Sequence, residues 1–153
     1  MDRYELLKFA HVGGAIVWIG GATMVQFFGA RAMSSGDALR LVAFTRDAEW
    51  IGTRVMLPSA LTVLAAGFLL IWDGPWELGM TWVWLALVLF AISFVIGLAF
   101  LTPEAKRVGD AVEKEGPESP AVRSRISRIF TISRMDLVIL FAIVLLMVTK
   151  PGV

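Results

Sequence analysis

The sequence predicts an all-α fold, an antiparallel four-helix transmembrane bundle. Three observations predict it. Hydrophobic residues make up 58% of the chain and mean hydropathy is +0.76, against about 45–50% apolar residues in ordinary soluble domains. Four long apolar runs lie at about 6–30, 51–72, 78–101 and 129–149. Charged residues and turn-forming residues concentrate between those runs. With 153 residues, the chain has room for one membrane domain spanning 1–153 and little else.

The first run, Phe9 to Ala30, has no charged residue. At a rise of about 1.5 Å per residue its 22 residues cover about 33 Å, enough to cross a bilayer core. It is too long for the core of a signal peptide, which is about 7–15 residues, and reads as a retained span. Steps of three or four residues from His11 meet Gly14, Ala15, Trp18, Gly21, Ala22, Val25 and Gly29. This small-residue face is expected to point inward, because close helix approach drives association in lipid.

Ser34-Ser35-Gly36 breaks that helix, and Asp37 to Glu49 reads as an amphipathic lead-in to the second span. Pro58 should kink that span, since it removes one backbone bond and crowds the preceding turn. Asp73-Gly74-Pro75 ends it. The third span carries Ser93 and Gly97 as a small-xxx-small pair. Trp72, Trp76, Trp82 and Trp84 mark one membrane surface. Thr102-Pro103-Glu104 reads as a helix cap, opening a short charged helix to about Lys114. Ser119-Pro120 starts an interfacial basic helix, with Val122, Ile126, Ile129, Phe130 and Ser133 on one face. The fourth span has an uncharged part of only 13 residues, Leu137 to Thr149, so it must begin near Ile129. No internal repeat is apparent.

Segments 31–54 and 102–134 hold eleven of the fourteen Lys and Arg residues, and the rest are Arg3, Lys8 and Lys150. By the positive-inside rule both long connections are cytoplasmic and both termini are outside.

The runs LKFAHVGGAIVWIGG, RVMLPSALTVLAAGFLL and RMDLVILFAIVLLMVTKPG together resemble an uncharacterised family of small bacterial four-span integral membrane proteins. The resemblance covers nearly the whole chain and implies a multi-pass protein of the bacterial inner membrane. The spacing from His11 to Trp18-Ile19-Gly20 is also similar to the first helix of copper-resistance D proteins and of the related membrane-bound protoporphyrinogen oxidase. In the oxidase the matching histidine ligates haem, so the resemblance implies His11 as a ligand. This chain has no second histidine, and the oxidase activity does not carry over.

His11 is the first candidate site residue. Imidazole suits haem b or copper, and a thioether suits Cu(I) or a sixth haem position, so Met80 and Met147 join it. The plainer reading is a histidine bonded to a neighbouring helix. Asp136 and Arg54 lie at similar depth. They are expected to form a structural ion pair, with a proton relay as the alternative. Arg123, Arg125 and Arg128 are expected to meet anionic lipid head groups. Gln26, Thr23, Thr62 and Ser93 are expected to bond between helices. Cysteine is absent, which excludes disulfides and thiolate metal sites. A net charge of +1 argues against nucleic acid, and no phosphate loop or nucleophile–base set is present.

The expected function is that of a non-enzymatic integral membrane protein, an accessory or small-molecule-binding bundle. The alternatives are a haem-b or copper protein using His11 and a small oligomeric transporter. The bilayer is the expected partner, with a homo-oligomer or membrane complex possible.

Overall fold

Asp2 opens the first helix with a reciprocal cap. Its carboxylate accepts from the Glu5 N–H at 2.7 Å, and the Glu5 carboxylate accepts from the Asp2 N–H at 3.1 Å. The computed structural model describes residues 2–152. Helix α1 then runs Arg3–Ser34. The chain reverses at Gly36, whose φ of +66° suits a residue without Cβ. Asp37 caps α2 (Ala38–Ile51) by accepting from the Leu39 and Arg40 N–H groups. Four further helices follow: α3 (Leu57–Asp73), α4 (Thr81–Val95), α5 (Thr102–Glu115) and α6 (Pro120–Thr149).

The α2–α3 and α4–α5 junctions are not breaks. One π turn, Gly52–Met56, joins α2 to α3, and another, Ile96–Leu101, joins α4 to α5. Each resulting continuous helix is 35 residues long (Leu39–Asp73 and Thr81–Glu115). This corrects one expectation, since Thr102-Pro103-Glu104 does not cap a new helix. Pro58, expected to kink the second span, follows a wide turn in a helix that continues through it. The cause is local. A proline ring crowds the carbonyl four residues back, and a π turn moves that carbonyl out of register. The two turns also share a spacing that the reading of the sequence missed. GTRVMLP (52–58) and GLAFLTP (97–103) each place Gly six residues before Pro. They lie side by side, since a Cβ on Gly52 would sit 3.2 Å from Thr102 Oγ1.

All four long helices are long and apolar enough to cross a membrane. Only 11–22% of their most apolar windows is buried within the protein. Phe9, Phe27, Trp72 and Val148 stand outward. Such a surface belongs in lipid rather than water.

Helix α1 packs along α3, and α4 packs along α6. Gly14 makes the first seam close, since a Cβ there would meet Val63 Cγ2 at 3.0 Å and the Ser59 carbonyl at 3.1 Å. Trp18, Ala60, Val63, Phe90 and Leu140 form the core where the pairs meet. A second core lies beyond the π turns, where Leu41, Val108 and Val112 pack on Val122 and Ile126. The start of α6 therefore buries its apolar face in protein, not in the membrane interface as expected. Glu104 is buried beside this core. It accepts from Arg107 at 3.2 Å and from Arg125 at 2.6 Å, and Arg46 pairs with Glu113.

At the opposite end Arg3 pairs with Asp73 at 2.8 Å, and Trp76 Nε1 donates to Tyr4 Oη at 3.1 Å. Lys150 Nζ lies 3.9 Å from the Trp76 ring centroid. Both chain ends and the 74–80 turn thus share one end of the bundle, here called the terminal end. The second core marks the connection end.

Candidate ligand chambers

Two helix pairs that meet at one core leave space above and below it. Trp18 and Phe90 stack edge-to-face at 5.2 Å and, with Leu140, divide that space. The outer chamber, toward the terminal end, has a volume of about 580 Å³. The inner chamber, toward the connection end, has about 140 Å³. Trp18 lines both.

The outer chamber is largely apolar, lined by Ala15, Ile19, Leu64, Ala86, Phe90 and Ile143 among others. Its polar groups are few. His11 Nδ1 lies 2.8 Å from the Val63 carbonyl. A carbonyl only accepts, so Nδ1 donates its proton, and whenever the ring is neutral its lone pair is on Nε2. Gly67 makes room for this ring, since a Cβ there would lie 3.1 Å from His11 Cε1. The indole N–H of Trp82 is buried in the wall without a partner. Lys8 and Lys150 line the chamber at its terminal end. Met147 lines it with His11, but Met80 is the residue before α4 and is not part of the lining. Among the described residues no cluster of three His, Cys, Asp or Glu side chains could hold a metal ion.

The inner chamber is ringed by Gln26, Thr45, Thr53, Ser93, Leu98, Thr102, Ser133 and Asp136, with apolar residues between them. The Gln26 amide donates to Ser133 Oγ across α1 and α6. Asp136 is 6% exposed and its Oδ1 has no partner. Ser93 is 1% exposed and lies beside this carboxyl, and its hydroxyl makes no hydrogen bond of good geometry.

The expected pair of Arg54 with Asp136 is not formed. Arg54 lies within the first π turn and is exposed. Gly52, Thr53 and Met56 face the chamber instead. Depth matched the two residues, but the wide turn re-phases the helix and sends Arg54 outward. Arg54→Ala should therefore change stability by no more than about 0.5 kcal/mol, and its effect should add to that of Asp136→Asn. Thermal unfolding of the single and double variants in detergent checks this. A coupling clearly above that size would restore the ion pair.

The three arginines expected at lipid head groups have protein partners. Arg123 pairs with Glu118, Arg125 with Glu104, and Arg128 lies 5.2 Å from the Phe100 ring centroid. Gly67, Trp82 and Glu104 escaped the sequence reading. The tryptophan's signal pointed to the membrane surface and the glutamate's to a helix cap.

Searches of the curated proteins and of the solved structures returned no significant match. Residues 5–151 match the family model described as "Predicted integral membrane protein (DUF2269)", and with four membrane-crossing helices across that length the chain belongs to this family.

Proposed function

We propose that the protein is a non-enzymatic membrane bundle that binds one small anionic amphiphile in its outer chamber. The carrying observation is the chamber itself. Its volume of about 580 Å³ falls within the range of about 300–1,000 Å³ of small-molecule sites. Its wall holds one unpartnered buried donor, Trp82 Nε1–H. An apolar tail fits the aliphatic and aromatic lining. A carboxylate or phosphate head accepts from the indole and lies near Lys8 and Lys150.

Trp18, Trp76 and Trp82 line the chamber and serve as reporters. A dibrominated long-chain fatty acid added to the purified protein should quench their emission saturably. Ala15→Phe, which fills the chamber, should weaken quenching at least tenfold. Lys8→Gln with Lys150→Gln should weaken it by a smaller factor. Quenching that is linear in added lipid and equal in all variants would show partition into the micelle alone and sink the reading.

A second reading places haem b or copper on His11. It is favoured by the Nε2 lone pair that the Val63 bond leaves free and by Met147 in the same chamber. An absorption spectrum of protein made with haem and copper supplied separates the two. A Soret band lost in His11→Ala would select haem over the amphiphile.

We further propose that the terminal end faces outside the cytoplasmic membrane, supported by the eleven-to-three distribution of basic residues. The chain has no cysteine, so single introduced cysteines report cleanly. Glu77→Cys should react with an impermeant reagent in intact cells, and Glu115→Cys should not. Both positions are exposed. Gly74 is unsuitable, since a Cβ there would lie 2.7 Å from the Leu70 carbonyl. Labelling of Glu115→Cys from outside would reverse the orientation.

A further inference from the structure

The inner chamber has a chemistry that amphiphile binding does not use. We propose that it is a binding site for a single alkali-metal cation, held by the Asp136 carboxylate and the Ser93 hydroxyl together with backbone carbonyls released at the two π turns.

The carbonyls follow from the hydrogen bonds. Leu57 N–H donates to the Gly52 carbonyl, five residues back. Pro58 has no N–H. The Thr53 carbonyl, which those two nitrogens would serve, receives a bond from neither. The second turn repeats the arrangement. Thr102 N–H donates to the Gly97 carbonyl, Pro103 has no N–H, and the Leu98 carbonyl is left over. Thr53 and Leu98 both line the chamber. Backbone opened in this way is tolerated at membrane depth where it is buried in protein or lines a cavity, and unwound carbonyls are a recurrent source of cation ligands there.

Asp136 Oδ1 and Ser93 Oγ add two buried oxygens that lie beside each other without a hydrogen bond of good geometry. Gln26 gives one of its two N–H groups to Ser133, and its own carbonyl oxygen can accept. The site thus gathers several oxygens around one carboxylate, and its hydroxyls can turn lone pairs toward a cation and protons away from it. A proton on Asp136 would engage one of these oxygens, whereas a cation is coordinated by several at once. The charge selects a monovalent ion. Among the described residues Asp136 is the only acid or base in the lining, so one positive charge neutralises the site. A divalent ion would leave a net charge in a medium that penalises it.

Thermal unfolding of the full-length protein in detergent tests this, with choline chloride replaced stepwise by lithium, sodium or potassium chloride at constant ionic strength. At least one alkali ion should raise Tm along a single-site saturation curve. Asp136→Asn should abolish the dependence, and Ser93→Ala should raise the half-saturating concentration at least tenfold. Ser93→Ala also keeps the test decisive if Asp136→Asn fails to fold. Trp18 lines the chamber, so its emission offers a second readout of the same titration. Equal Tm in choline and every alkali salt would overturn the proposal, as would an alkali response that persists in Asp136→Asn. So would a dependence on pH alone, which would assign the site to a proton.

Discussion

Trp18→Ala is expected to be the most destabilising single change in the membrane core, at about 3–5 kcal/mol. Trp18 is buried, stacks on Phe90 and packs with Ala60, Val63 and Leu140 at the junction of the helix pairs. In lipid the hydrophobic effect does not hold helices together, but close packing does. Deleting the indole therefore removes the contacts that join α1 to α4 and α6. It also removes the wall between the chambers, so the void left behind extends spaces already present. Backbone collapse cannot fill it. Trp18→Phe keeps a ring for Phe90 and should recover much of the loss. Thermal unfolding in detergent checks the order wild type, Trp18→Phe, Trp18→Ala. An unchanged midpoint for Trp18→Ala would show that the pairs are joined elsewhere.

The same residue illustrates what could be read from the sequence. The all-α four-span architecture was legible, because about 20 apolar residues without charge have few alternatives to crossing a bilayer. The inward face of α1 was legible too, because steps of three and four from His11 collect small residues. Gly14 does sit against α3, and Trp18 is buried. What His11 bonds was not legible. Its partner is a backbone carbonyl, and every residue has one.

The connection end was misread for a different reason. Pro103 and the charges from 104 to 115 resemble the end of one helix and the cap of the next, and Pro58 resembles a kink. The π turns carry both helices through. That extends them far enough to build the second core, and it sends Arg54 away from Asp136. Matching residues by depth assumes an unbroken 3.6-residue period, and one wide turn invalidates the assumption. The repeated Gly-to-Pro spacing was visible, but it gains meaning only once the two turns are seen side by side.

Glu104→Ala is the second large effect, expected at about 1.5–3 kcal/mol, the range for hydrogen bonds to charged groups. Read from the sequence as the acid of a first helical turn, Glu104 is buried where α5 meets α6, beyond the apolar run 78–101 that crosses the membrane. Burial pushes its carboxyl up, but the hydrogen bonds and charges of Arg107 and Arg125 outweigh this and hold its pKa below the ordinary value. Arg107 is largely exposed and Arg125 about half exposed, so water screens part of the attraction. That keeps the effect below the full cost of breaking a completely buried pair. The sign of the pH dependence follows. A carboxyl whose folded pKa is depressed contributes fully above its unfolded pKa, about 4.3. It loses that contribution as pH falls through the lower folded value. Wild type should therefore exceed Glu104→Gln in Tm near neutral pH, with the gap closing below about pH 4, around and below the unfolded glutamate pKa. Arg125→Ala should reproduce part of the neutral-pH loss, and added to Glu104→Ala it should cost little more. A gap that stays constant from pH 7 to pH 3 would mean that Glu104 stabilises the connection end through packing, not through its charge.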